Sequence, residues 1–305
     1  IIDNAPDGST IVFKAGGTYR LDRSLRVAGR KGLTLDGNGA TLKLRGDDSD
    51  FNRTGLIVER FSEDTTIRDL RLNGGYALGG TSDACCSNAT QHGISVWGST
   101  NTLIEGVDIR RFGGDCLYIS GHEGRIWADG VTFRDSECRL NGRTGVVIIA
   151  GSDVRVVNNT FDQIGYSVVG IEPNQGYQGA RGVVMRGNTI GSYGLTDRLK
   201  SKIFYAENAP WSDGATVKDV TITGNTVAGN PGGYDGVMLG LNIKVVADVS
   251  PTNYTITNNT AAKAVPGPVM KILGVNGVTI TGNKQPLSSG KLANLSGSTN
   301  VTYDG

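Results

Sequence analysis

Short runs in which apolar and polar residues alternate recur along the whole chain. One series carries the apolar pairs Leu56/Val58, Ile94/Val96, Leu117/Ile119, Val146/Ile148, Val169/Ile171, Phe204/Ala206, Val237/Leu239 and Met270/Ile272. From Ile94 onward the pairs are 23, 29, 23, 35, 33 and 33 residues apart, by subtraction of their numbers. Strict alternation buries one face of a strand, so each pair predicts a strand with an inward and an outward side. A second series occupies residues 154–159, 183–188, 220–225, 254–259 and 278–283, each run closing on asparagine: Asn159, Asn188, Asn225, Asn259 and Asn283. The asparagines are 29, 37, 34 and 24 residues apart, again by subtraction, and in phase with the first series. Similar runs at 11–13 and 33–35 continue toward the N-terminus.

Steps of this size and irregularity predict a solenoid whose coils share a core but carry loops of different length. Each coil reads strand, loop, strand, Asn turn, short strand, loop. The Asn is expected at a tight corner, in the left-handed conformation, with its amide bonding along the stack. Pairing between coils must be parallel, with right-handed crossovers. Roughly ten coils at about 4.8 Å each give a rod on the order of 50 Å long. The expectation is a single all-β domain over residues 1–305. The chain opens at Ile1 already in strand-and-turn sequence, with no helix to cover the first coil, which suggests a longer parent protein trimmed at both ends.

This pattern resembles the right-handed parallel β-helix superfamily of pectate lyases, polygalacturonases, alginate epimerases and phage tailspikes. The resemblance covers about residues 11–283, and the Asn series carries it. It implies the fold and an association with polysaccharides, but no catalytic motif of one family comes with it. Tandem Asp-Asp with Gly-His-Gly and Arg-x-Lys, as in polygalacturonases, is missing; the nearest match is Gly114-Asp115-Cys116, with Cys in place of the second Asp. The Asp-Pro-His of mannuronan epimerases is absent too.

Composition narrows the picture. Forty-six glycines and 7% aromatics do not suit an ordinary compact core. A formal charge of +1 argues against a general polyanion binder, so no nucleic-acid partner is expected. No apolar run reaches 18 residues, so no membrane-spanning helix is expected. Cys85, Cys86, Cys116 and Cys138 are too irregular for a zinc site. A disulfide tying the 81–91 loop to a coil and free buried thiols are both open readings. Asp47, Asp48 and Asp50 are read as a solvated cluster rather than a calcium cage, and no cofactor is expected.

Long segments at 73–91, 121–129, 173–181, 193–202, 208–218 and 241–253 flank the first strand of each coil, whereas the Asn turns stay short. Loops on both sides of one sheet predict a groove along the rod. Three columns of side chains are expected to line it. They are His92, Asp115, Thr144, Ser167, Lys202 and Asp235; Ser95, Tyr118, Val147, Gly170, Tyr205, Met238 and Lys271; and Trp97, Ser120, Ile149, Glu172, Glu207, Gly240 and Leu273. Glu172 and Glu207 then share a column on adjacent coils, the equipment for acid–base glycoside hydrolysis. His92 beside Asp115, with Tyr118 and Arg143 near, is the equipment of a uronate lyase or epimerase. Trp97, Tyr177, Tyr205 and Trp211, with Lys271, are expected to hold sugar rings. The function expected is an extracellular enzyme cleaving a glycan chain in an open groove, with hydrolysis slightly ahead of elimination or epimerisation. Asp115 is the third carboxylate of the hydrolytic reading. A non-catalytic adhesin or a tailspike-like segment on a virion surface is the alternative. An ice-binding solenoid is disfavoured by the long loops.

Overall fold

The computed structural model describes residues 2–44, 55–76, 91–122, 126–196, 201–207, 213–228 and 240–304. It is a right-handed parallel β-helix. Successive coils stack their strands into three long sheets, all paired in parallel; the B sheet stops one coil before the C sheet, and the A sheet gains two extra short strands, Ala128–Asp129 and Ala150–Ser152. The A sheet runs from Thr10–Val12 to Thr299–Tyr303, the B sheet from Thr18–Leu21 to Thr260–Ala261, and the C sheet from Leu25–Ala28 to Ala293–Asn294. The chain passes A, B, C and returns to A one level along. The C sheet has ten strands among the described residues, matching the expected number of coils.

The asparagines stack at the A–B corner. Asn159 donates through backbone N–H and Nδ2 to Oδ1 of Asn188, at 2.9 and 3.2 Å. The same two bonds join Asn188 to Asn225, Asn225 to Asn259 and Asn259 to Asn283. A second Nδ2 hydrogen goes to a carbonyl inside the corner: Phe133 for Asn159, Val156 for Asn188, Met185 for Asn225 and Ile222 for Asn259. The left-handed residue is not the stacked Asn but the one before it: Asn158, Gly187, Gly224, Asn258 and Gly282, with φ of 56–66°. The preceding residue makes the bend, and this turns the Asn amide inward, where the polar ladder saves buried backbone groups from going unpaired.

The interior is one continuous aliphatic cluster. Where each coil enters the C sheet, two consecutive residues point inward instead of one: Leu56/Ile57, Cys116/Leu117, Val168/Val169, Ile203/Phe204 and Val269/Met270 all belong to the core. The expected pairs are corrected at two places, the first of them through this doubled position. In Gly55–Arg60 the residues in register with Ile94 and Val96 are Ile57 and Glu59, so the inward pair is not Leu56/Val58. A carboxylate therefore lies inside the coil. In the following turns the strand stacked between Phe204–Ala206 and Met270–Ile272 is Ile243–Val245, not one built on Val237/Leu239. Residues 229–239, Asp235 and Met238 among them, lie outside the described residues.

Cys116 and Cys138 form a disulfide across the interior, with Cα atoms 6.0 Å apart. Neither is left to tie down the 81–91 loop, whose Cys85 and Cys86 lie outside the described residues, as do Asp47, Asp48 and Asp50. A single 3-10 turn, Ile2–Asn4, packs Ile2 against the first coil.

Candidate functional site

The outer face of the C sheet presents two columns. Parallel register puts Val58, Ser95, Tyr118, Val147, Gly170, Tyr205, Lys244 and Lys271 in one. Arg60, Trp97 and Ser120 stand in the other, and Ile149, Glu172 and Glu207 follow the next strands. Lys244 takes the place that Met238 was expected to fill.

The doubled inward position also explains His92 and Asp115. Two residues before the first core residue of the alternating pair would ordinarily face inward. Because Gly93 and Ile94, and Cys116 and Leu117, both turn in, His92 and Asp115 are swung to the outer side. His92 stacks on the Tyr118 ring at 4.6 Å between centroids and 21° between planes. Its Nδ1 lies 3.1 Å from Asp115 Oδ2 and 3.2 Å from the Asp115 backbone N. One nitrogen cannot serve both. With a proton on Nδ1 the carboxylate accepts it; with the proton on Nε2, Nδ1 accepts the backbone N–H instead.

Asp115 is fully buried, so it acts through its neighbours rather than on a ligand. Burial alone would raise its carboxyl, but Arg143 and His92, with the Thr144 backbone N–H, outweigh that and hold it below the ordinary carboxylate value. Arg143 bridges two acids, donating Nη1 to Asp115 Oδ2 at 2.9 Å and Nη2 to Glu172 Oε2 at 2.5 Å. The Asp115 charge, above all, raises the guanidinium well beyond its usual value. Tyr205 O–H donates to the other oxygen of Glu172. Tyr205 is 2% exposed and does not offer its ring to a sugar as expected. Its ring fills the space over Gly170, whose missing Cβ would come within 2.5 Å of Tyr205 Oη. Burial, then the Glu172 charge, raises the Tyr205 phenol well above normal, so it stays a donor.

Glu172 and Glu207 follow paired residues, Ile171 and Ala206, and so stand on adjacent rungs as expected. Each is occupied by a cation: Arg143 for Glu172 and Lys244 for Glu207. Lys271 is exposed one rung beyond Lys244. Trp211 lies outside the described residues, and Tyr177 stands half exposed on the wall after Glu172.

A residue missing from the sequence reading is Arg60. Its guanidinium sits over the Trp97 ring at 5.3 Å, and Trp97 meets Tyr118 at 5.3 Å. Arg60 Nε and Trp97 Nε1 are both buried with no hydrogen-bond partner among the described residues. The shifted phase of Gly55–Arg60 hid it; alignment on Ile57 would have put Arg60 beside Trp97. One connected array thus runs Arg60, Trp97, Tyr118, His92, Asp115, Arg143, Glu172, Tyr205.

A family model described as "Right handed beta helix region" matches residues 36–304. The chain belongs to this right-handed β-helix family. Solved β-helix structures similar to it include an endo-xylogalacturonan hydrolase from Aspergillus tubingensis, at 15% identity and TM-score 0.60, covering 99% of this chain and 93% of that one. An alginate lyase from Paenibacillus sp. aligns at 12% identity and TM-score 0.53, covering 99% and 94%. The A-module of mannuronan C-5 epimerase AlgE4 from Azotobacter vinelandii aligns at 18% and 0.51, covering 98% and 91%. No curated protein sequence matches the chain. At these identities the likeness is one of fold, and within that β-helix the neighbours are polysaccharide-active enzymes of three chemistries.

Proposed function

We propose that this β-helix is an enzyme of extracellular polysaccharides that moves a proton on an acidic sugar, by elimination or epimerisation. The observation behind this reading is the stack of His92 on Tyr118 with Asp115 against Nδ1. With Nδ1–H donated to Asp115 the imidazole is neutral, and its free Nε2 is the base that removes the proton beside the sugar carboxylate; Asp115 then balances the positive charge this creates. Burial chiefly raises the Tyr118 phenol, with Asp115 and Glu172 adding to the effect. It therefore stays protonated and can donate to the leaving oxygen or the opposite face. Arg60, free of an ion pair among the described residues, is the cation that would neutralise the sugar carboxylate as charge develops. Arg143 cannot take that part, because Asp115 and Glu172 already hold it.

Hydrolysis through Glu172 and Glu207 is the second reading, favoured by their adjacent rungs. One experiment separates the two. Incubation with a polysaccharide panel, read by reducing ends, by ultraviolet absorbance of unsaturated uronates and by NMR of the uronate C5 configuration, should show unsaturated or epimerised uronate that His92→Ala removes. New reducing ends without absorbance, lost in Glu172→Gln and Glu207→Gln, would transfer the chemistry to the glutamates. An inert protein that still binds a glycan would make it a receptor-binding segment.

A further inference from the structure

Beyond Glu172 the chain turns from the C sheet toward the A sheet, and this corner carries a second set of ligand-type groups. Trp127 Nε1 donates to the Tyr177 carbonyl at 3.0 Å, binding the segment after one C strand to the segment after another two coils on. The wall so formed lies beside Ala150–Ser152 and borders an open, shallow pocket of about 330 Å³ lined by Trp127, Asp129, Ser152 and Arg181. Six large apolar side chains are exposed among the described residues; Phe61 (43%), Ile126 (56%) and Tyr177 (52%) lie along this corner. The other three lie in the first and last strands of the A sheet. Exposed aromatic surface of this kind is costly unless something covers it.

Cations outnumber acids at the corner. Arg181 is exposed, with its guanidinium 5.8 Å from the centre of the Trp127 ring. Lys218 is its partner on the next rung, with the buried Ala180 and Val217 alternating beside them, so both cations point outward. Parallel strands put them about 4.8 Å apart. Neither has an ion pair among the described residues, whereas Arg68 and Arg134 on the same sheet are each matched by a carboxylate. The one acid in the pocket, Asp129, accepts a hydrogen bond from Ser152. Two like charges held side by side repel unless an anion lies between them.

We infer that this corner is a subsite for an acidic sugar residue: Arg181 and Lys218 take its carboxylate or sulfate, and Tyr177 with the Trp127 edge takes its ring. The inference rests on the polysaccharide reading of the C-sheet groove and extends it. The polymer leaves the catalytic array past Glu172 and is gripped, as an anion, around the corner.

The test is calorimetric binding of oligogalacturonate, oligoalginate and dextran sulfate, beside carboxyl-reduced neutral oligomers, to the parent, Arg181→Gln/Lys218→Gln and Tyr177→Ala. The parent should bind at least one acidic probe more tightly than its neutral counterpart, with affinity falling as salt rises. The double variant should lose tenfold or more for that probe and nothing for the neutral one, and Tyr177→Ala should weaken both. Which acidic probe responds separates carboxylate from sulfate. Equal affinities in parent and double variant would remove the subsite and leave the enzyme reading standing. A parent that cleaves or binds only neutral glycans would remove the subsite and the acidic-sugar reading with it. No binding and no turnover of any glycan would remove both.

Discussion

Gly170 is empty of a side chain because Tyr205 occupies its space, and Glu172 is oriented because Tyr205 lies there. Gly170→Ala would drive the new methyl into the phenol ring. The expected result is a stability loss of about 1–3 kcal/mol, the usual cost of overpacking. Activity should fall as well, because Glu172 loses a donor; denaturant melts and turnover on the same sample check both. Glu59 is the other informative residue. It is fully buried, with Thr102 Oγ1 2.9 Å from each carboxylate oxygen. Burial pushes its carboxyl up from 4.5 to about 7, against the pull of Thr102, Thr65 and Ser99. An acid raised in the folded state stabilises it fully below pH 4.5 and loses that contribution as pH climbs through 7. At about 1.4 kcal/mol for each tenfold, the loss is on the order of 3 kcal/mol between those limits. Glu59→Gln should abolish that slope, leaving the variant the more stable of the two at pH 8. Unfolding midpoints at pH 4.5, 6 and 8 decide it; parallel curves for parent and variant would refute the assignment.

At the scale of the element, the Asn corner shows how far local chemistry specifies this fold. Asn225 accepts from Asn188 and donates to both Asn259 and the Met185 carbonyl. Asn225→Ala should cost about 1–3 kcal/mol for each buried group left unpaired, measurable by urea unfolding, while Thr226→Ala on the exposed side should cost little. This corner was legible in the sequence, since only one residue type closes each run. The bend itself was misplaced by one residue, because Asn158 and Asn258 before the ladder are asparagines too. The C sheet was legible only where its inward pair stands clear of other apolar residues. At Leu56-Ile57-Val58 three apolar residues in a row hide the phase, and the doubled inward position decides it. At residues 229–245 two apolar alternations compete, and only stacking on the neighbouring coils selects Ile243–Val245. Partners of side chains were the least visible. Nothing in the spacing says that Arg143 would hold Asp115 and Glu172 together, because residues 115, 143 and 172 meet only once three coils are stacked.

For the whole molecule, the Cys116–Cys138 bond lies in the middle of the stack, joining the entry of the C sheet to the B sheet across the core. Removing it as Cys116→Ala/Cys138→Ala should lower stability by about 2–4 kcal/mol. The loss should be felt first at the site, because Asp115 is adjacent in sequence; thermal unfolding followed beside activity would show inactivation preceding the melt. The array from His92 to Tyr205 draws one residue or segment from each of five successive coils, and every link joins immediate neighbours. Its ancestry can therefore be read from where the chain tolerates growth. A coil duplicated before the Gly55–Arg60 strand or after residue 207 would lengthen the rod and leave the chemistry untouched. A coil gained or lost between those points would separate partners by a full rung and silence it. Within a lineage of such rods, length should drift freely at the two ends while the number of coils across the middle stays fixed.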